Sequence, residues 1–172
     1  MGQNQRAAIQ MSDEEVATFL EQQRSATVAT VGPSGMPHLV AMWYAYIDGQ
    51  VWIETKAKSQ KVVNLRRNDN FSFLVEDGLT YDQLRGVSLE GRGVVIDDAD
   101  ALWKVGVSVF ERYTGPYTEE LRPFVEVMLH NRVAVRLDVE RVRSWDHRKL
   151  GMSAMPVGGS TAEYLTPHPA AD

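Results

Sequence analysis

Asp48-Gly49, flanked by Trp43-Tyr44-Ala45-Tyr46-Ile47 and Val51-Trp52-Ile53-Glu54-Thr55, constrains the fold of this chain more than any other feature. Two turn-forming residues between β-prone segments admit a tight hairpin and little else. Upstream, residues 26–31 (Ala-Thr-Val-Ala-Thr-Val) are rich in β-branched side chains and precede the turn Gly32-Pro33-Ser34-Gly35. Residues 37–47 read as one long second strand and residues 51–55 as a third, so the opening is expected to be an antiparallel meander.

Helical signals interrupt this β pattern. Ser12 with Glu15 three residues on, followed by Val16, Phe19 and Leu20, predicts a capped helix. A basic helix over 59–68 leads to a fourth strand at 71–76, a polar loop at 78–84 carrying Tyr81, and a fifth strand at 86–96. Gly91 and Gly93 in that strand predict a bulge or barrel corner. Asp97-Asp98 starts a helix through Trp103, Val107 and Phe110, and another spans 118–130 with Pro123 in its first turn. Residues 132–142 alternate Val133, Val135, Leu137 and Val139 with charged neighbours, a half-buried sixth strand. The expected architecture is mainly β with inserted helices, six antiparallel strands closing a small barrel over residues 12–150. A flexible N-terminus (1–11) and a mobile tail (151–172) rich in Gly, Pro, Ser and Ala are expected to flank it.

Composition narrows the chemistry. The 172 residues suit one domain, and no apolar run approaches the ~20 residues that span a bilayer. The polar opening Met1-Gly2-Gln3-Asn4-Gln5-Arg6 has no apolar signal core, and zero cysteines remove disulfides, thiol catalysis and thiolate metal sites. A cytoplasmic protein is the expectation. A formal net charge of -5 argues against general nucleic-acid binding. His38, His130, His147 and His168 are too far apart in sequence to suggest a metal site, and no serine sits in a nucleophile elbow.

Against that acidic balance, residues 56–67 carry five of the eighteen basic side chains and no acid. The cluster lies where the third strand feeds a helix, at Thr55-Lys56-Ala57-Lys58-Ser59-Gln60-Lys61. First-turn amides lack intrahelical partners and the helix dipole adds positive charge, so this corner suits an anion such as a phosphate. Ser59 can cap or donate a hydroxyl, and Lys56, Lys58 and Lys61 can reach anionic oxygens. A solvated basic face with Val62, Val63 and Leu65 as its buried stripe is the plainer alternative. The second strand carries Met42, Trp43, Tyr44 and Tyr46, large side chains on both faces, which means either two-sided packing or a subunit or planar ligand on one side. Trp145, in Trp145-Asp146-His147-Arg148 after the last strand, is expected to be an exposed rim, interface or ligand contact.

These elements in this order resemble the flavin-binding split β-barrel superfamily of the pyridoxamine 5′-phosphate oxidases, over residues 12–148. The resemblance rests on a strand ending in Thr, a short basic loop with Ser-x-Lys, and a helix with a downstream Asn-Leu, here Thr55, Ser59, Lys61 and Asn64-Leu65. It implies a six-stranded split barrel in which Ser59 and Lys61 hold a cofactor phosphate, with Lys56 as helper and Thr55 and Gln60 alongside. Within the superfamily the chain is most similar to the actinobacterial branch that uses the deazaflavin coenzyme F-420. The opening from Ala26 to His38, the Lys-Ala-Lys-Ser-Gln-Lys loop and Asn68-Asp69-Asn70 carry that likeness. By the same resemblance, strand two (Pro37, His38, Val40, Met42, Trp43) contacts the cofactor ring through backbone groups. The loop over 76–86, with Glu76 and Arg85, approaches its tail.

No convincing counterpart of the oxidases' substrate-phosphate Arg-x-His element is present, and residues 145–148 fit it poorly, which argues against vitamin B6 chemistry. The implied function is a homodimeric oxidoreductase, cofactor at the subunit boundary, passing hydride from reduced F-420 to an unsaturated organic acceptor. Tyr81, His147 or solvent would supply the proton. An FMN-binding split barrel and a cofactor carrier without turnover are the rival readings.

Overall fold

The computed structural model describes residues 5–165; residues 1–4 and 166–172, the outer ends of the two segments expected to be flexible, lie outside the described residues. After a short helix α1 (Gln5–Ala8), α2 (Asp13–Gln22) starts at the expected capping box: Glu15 N donates to Ser12 Oγ and Ser12 N to Glu15 Oε2. The strands are β1 (Ala26–Val31), β2 (Pro37–Met42), β3 (Ala45–Ile47), β4 (Gln50–Lys56), β5 (Asn70–Asp77), β6 (Arg85–Ile96) and β7 (Arg132–Asp146). Helix α3 (Gln60–Arg67) joins β4 to β5, and α4 (Ala99–Tyr113) and α5 (Arg122–Leu129) join β6 to β7.

The sheet is antiparallel, in the order β2-β1-β5-β6-β7-β4-β3. It has seven strands rather than six, because the expected second strand is broken at Trp43-Tyr44. Its first half pairs with β1 and its second half with β4, so the two edges of the sheet are consecutive pieces of one chain segment. The opening is therefore two hairpins at opposite edges and not a meander, and the sheet curls until its edges are joined by the chain and not by a ladder. The break is stapled from outside: Tyr44 N donates to the Tyr113 hydroxyl, which donates to Tyr44 O.

The hairpin at Asp48-Gly49 has positive φ at both residues (52° and 75°), the primed turn that matches strand twist. The predicted bulge lies between Glu90 and Gly91; the register passes from Arg141 to Val139 and leaves Glu140 extra on β7. A side chain at Gly91 would meet the Asp138 carbonyl. β7 runs to Asp146, four residues beyond the expected end, and carries Trp145 inside the ladder opposite Gly86. There the indole lies against Gly86 and is half-buried rather than an exposed rim element.

Period-2 alternation sends neighbours to opposite faces. Ile53 and Val135 enter the barrel core with Val28, Tyr44, Phe73, Val75, Val87 and Leu137, while Trp52 and Ala134 face outward under Val105 and Val109 of α4. α5 covers α4 through Phe110, Val125 and Leu129. No helix among the described residues is long and apolar enough to cross a membrane.

Candidate functional site at the basic corner

β4 ends against the start of β7, pairing Thr55 with Val133 and Lys56 with Arg132. The loop that follows is pinned on both sides: Ala57 N donates to Asn131 O and Ser59 N to Lys56 O, both at 2.9 Å. Ser59 thus occupies the N-cap of α3, but its hydroxyl does not cap; it lies 3.4 Å from Thr55 Oγ1. Lys61 follows in the first turn and is only 9% exposed. Its ammonium donates to Thr55 Oγ1 at 2.9 Å and has no carboxylate partner among the described residues. The nearby Glu54 carboxylate is taken by Arg132 Nη1 at 2.6 Å.

Burying an ammonium against a neutral hydroxyl is unfavourable. Burial pushes Lys61 below the ordinary lysine range, the Arg132 guanidinium pushes it further, and Glu54 opposes both. Burial likewise raises Glu54, against the pull of Arg132 and weaker effects of Lys56 and Lys61. Lys56 and Lys61 bond only neutral oxygens among the described residues. Lys56 is exposed, with its ammonium on the His130 carbonyl at 2.9 Å, and a pocket of about 320 Å³ opens between Lys56, Ala57, Lys58 and Asn131.

Two of the five clustered cations are committed elsewhere. Arg66 forks onto Asp97, and Arg67 Nη2 donates to Val31 O at 2.5 Å. Behind the corner, Gln60 Nε2 donates to Asn64 Oδ1 and Asn64 Nδ2 to the buried Thr30 Oγ1. Thr30 is the ladder partner of His38, whose Nδ1 is enclosed without a hydrogen-bond partner. The corner therefore adjoins the Pro37 end of β2. His38, Val40 and Met42 are half-buried, whereas Leu39, Ala41 and Trp43 alternate outward. β2 has β1 on one side and an open edge on the other.

Glu76, Arg85, Tyr81, His147 and Trp145 lie elsewhere. Arg85, paired with Asp146 in the ladder, spends its guanidinium on Asp77 Oδ2 at 2.7 and 3.0 Å. Glu76 opposes Gly86, which opposes Trp145. Tyr81 and His147 meet, rings 4.5 Å apart, with His147 Nδ1 donating to Tyr81 O at 2.8 Å. From Val133 to Trp145 the chain follows roughly 40 Å of strand, so within one protomer these groups are far from Lys61. Arg132, Glu54 and Asn64 belong to the corner and were missed from sequence. Arg132 and Glu54 become neighbours only through the β4–β7 register; Asn64 stood in the Asn-Leu motif but carried no assigned role. Among the described residues no three His, Asp or Glu side chains are grouped as a metal site.

Comparison with known proteins agrees with this fold. The chain is 61% identical to the conserved hypothetical protein Rv2991 of Mycobacterium tuberculosis, over 91% of this chain and 98% of that one, with a TM-score of 0.89. An F-420H2-dependent biliverdin reductase of M. tuberculosis (strain CDC 1551 / Oshkosh) is 31% identical over 122 residues, 69% of this chain and 84% of that one. A solved F-420 reductase, 24% identical, shares the fold with a TM-score of 0.57 over 73% of this chain and 93% of its own. With residues 12–146 matching its pattern, the chain belongs to the pyridoxamine 5′-phosphate oxidase family.

Proposed function

We propose that this protein is an oxidoreductase that uses coenzyme F-420 to reduce an unsaturated, conjugated organic acceptor. The observation that carries the reading is Lys61, a buried ammonium that among the described residues hydrogen-bonds the Thr55 hydroxyl and no carboxylate. A cofactor phosphate supplies the missing charge. Ser59, Thr55 and Gln60 stand beside it with hydroxyl and amide groups, and Lys56 and Lys58 line the adjacent pocket for further anionic groups of a long cofactor tail. The relative named as an F-420H2-dependent biliverdin reductase supports this cofactor.

The deazaflavin, when bound, supplies the hydride. The protein's part is to anchor the phosphate at Ser59 and Lys61 and to present the backbone edge from Pro37 to Trp43, along β2 and just past it, to the ring. A homodimer with the cofactor at its boundary fits the open edge of β2 and the exposed Met36 and Leu39 along it. In that arrangement Tyr81 and His147 can serve as proton donors only from the partner subunit, given their distance from Lys61 in one protomer; otherwise solvent supplies the proton.

The test is a titration of the purified protein with F-420 and separately with FMN, followed by fluorescence and melting temperature. Saturable, preferential binding of F-420, then oxidation of the reduced coenzyme in the presence of a conjugated acceptor, is the expected result. Preference for FMN moves the protein to the flavin-using side of its family. Binding of F-420 without turnover across an acceptor panel makes it a carrier.

A further inference from the structure

We propose that Trp43 and Tyr113, with Arg24, form a preformed binding platform for a flat, conjugated carboxylate, and that this is where the acceptor lies. The acceptor role rests on the F-420 reading; the binding site does not. The two rings are stacked, centroids 4.4 Å apart and planes 3° from parallel. Trp43 is nevertheless 59% exposed, so the stack ends in an indole turned to solvent. Tyr113 is held by hydrogen bonds of its hydroxyl to Tyr44 N and Tyr44 O, at 3.1 and 3.2 Å, and Trp43 is the residue next to that anchor. A ligand therefore meets a π surface whose ordering cost is already met by the fold.

The charge beside the stack selects the class of ligand. The Arg24 guanidinium lies 5.2 Å from the Tyr113 ring centroid, makes only a long 3.4 Å contact to Tyr113 O, and enters no ion pair among the described residues. Arg112, 6.0 Å from the same ring, is already spent on the carbonyls of Leu20 and Gln23. Arg24 is thus the cation left to pair with a carboxylate at the rim of a stacked ring. The position also suits the acceptor. Trp43, just past the end of β2, continues the exposed row of Leu39 and Ala41, roughly 20 Å of chain from the Pro37 end that adjoins the anion corner. A cofactor anchored at Lys61 and laid along β2 points its ring towards this platform.

The experiment measures binding of biliverdin, and of its uncharged dimethyl ester, to the full-length protein without cofactor, by quenching of tryptophan fluorescence and by equilibrium dialysis. Trp43→Ala is expected to weaken biliverdin binding about 10-fold or more while Trp43→Phe, which keeps a stacking ring, stays within about 3-fold of wild type. Arg24→Gln should weaken biliverdin and leave the ester unchanged. F-420 affinity should be unaltered in Arg24→Gln, whereas Lys61→Ala should lose F-420 and keep biliverdin. Equal loss of F-420 and biliverdin in Trp43→Ala would make Trp43 a cofactor contact and overturn the platform. So would dissociation of a dimer in Trp43→Ala with biliverdin affinity intact, which would make Trp43 an interface residue. Biliverdin bound at Trp43 by a protein that ignores F-420 would instead leave the platform standing and remove the reductase reading.

Discussion

The two ends of the barrel treat charge in opposite ways. At the end where β6 begins and β7 finishes, Asp77 takes the fork of Arg85, and the buried Asp146 carboxylate receives Arg148 through N, Nε and Nη2. Every one of these charges has an opposite within the chain. At the other end Lys61 is as deeply buried and has a hydroxyl. The first arrangement is structure: hydrogen bonds from Arg85 and Arg148 hold both aspartates below their ordinary range and so favour folding. The second costs stability, a cost that an anion bound beside Lys61 would offset. The basic residues thus divide, among the described residues, into those paired with a carboxylate and those, like Lys61, that are not.

The largest effect is expected where the two kinds of charge touch. Arg132 pairs with Glu54 and also depresses Lys61. Arg132→Met leaves the Glu54 carboxylate buried and unpaired, a change that costs about 3 kcal/mol or more. Thermal melting should register it as a fall of at least ~6 °C for a chain of this size. The pH dependence gives the cause. Burial raises the folded-state pKa of Glu54 above its unfolded value, and without Arg132 it rises further. A raised carboxyl contributes stability when protonated and loses it as pH climbs through the folded value. The gap between variant and wild type should therefore be widest at neutral pH and narrow on acidification; a gap independent of pH would mean that packing and not Glu54 is responsible.

Next comes the direct test of the unpaired end. Ser59→Ala with Lys61→Ala should weaken F-420 binding by about 10- to 1000-fold, because charge-assisted hydrogen bonds contribute on the order of 1.5–3 kcal/mol each and need not add. Without ligand the same protein should melt no lower than wild type, since a buried cation in want of a partner has been removed. Lower apo stability together with unchanged affinity would place Lys61 among the charges that build the fold and erase the contrast.

Much of this was legible before any coordinates, and the parts that were not share one cause. Asp48-Gly49, the Ser12/Glu15 box, the bulge at Gly91 and the Ser59–Lys61 loop are local signals, each decided within a few residues. The break at Trp43-Tyr44 is not: β propensity runs through it undisturbed. It exists because β1 claims one half of the segment, β4 the other, and Tyr113, 69 residues away, holds the joint. Arg132 and Glu54 stand 78 residues apart and meet only in the finished ladder. Even the basic cluster misled in part, because Arg66 and Arg67 bond outward to Asp97 and Val31. Trp145, expected at an exposed rim, instead covers Gly86, since β7 runs four residues longer than its alternation suggested. Long-range pairing decides which of two identical side chains is free.

The smallest change probes the satisfied end. Asp146→Asn keeps the shape and one accepting oxygen but removes the charge that binds Arg148, which should cost about 1 kcal/mol, the scale of one partly solvated charge-assisted bond. The sign with pH is opposite to that at Glu54. Arg148 holds the Asp146 carboxyl below its ordinary 3.8, so its contribution is complete above that value and is lost as pH falls through the lower, folded-state one. Wild type and Asp146→Asn should differ by a constant amount from pH 7 to pH 5 and converge only in stronger acid, as read by denaturant midpoints across that range. F-420 affinity should not change in this variant at any pH. If it did, the ends would be coupled, through the partner subunit or along β7, and the contrast between them would have to be redrawn to include Asp146.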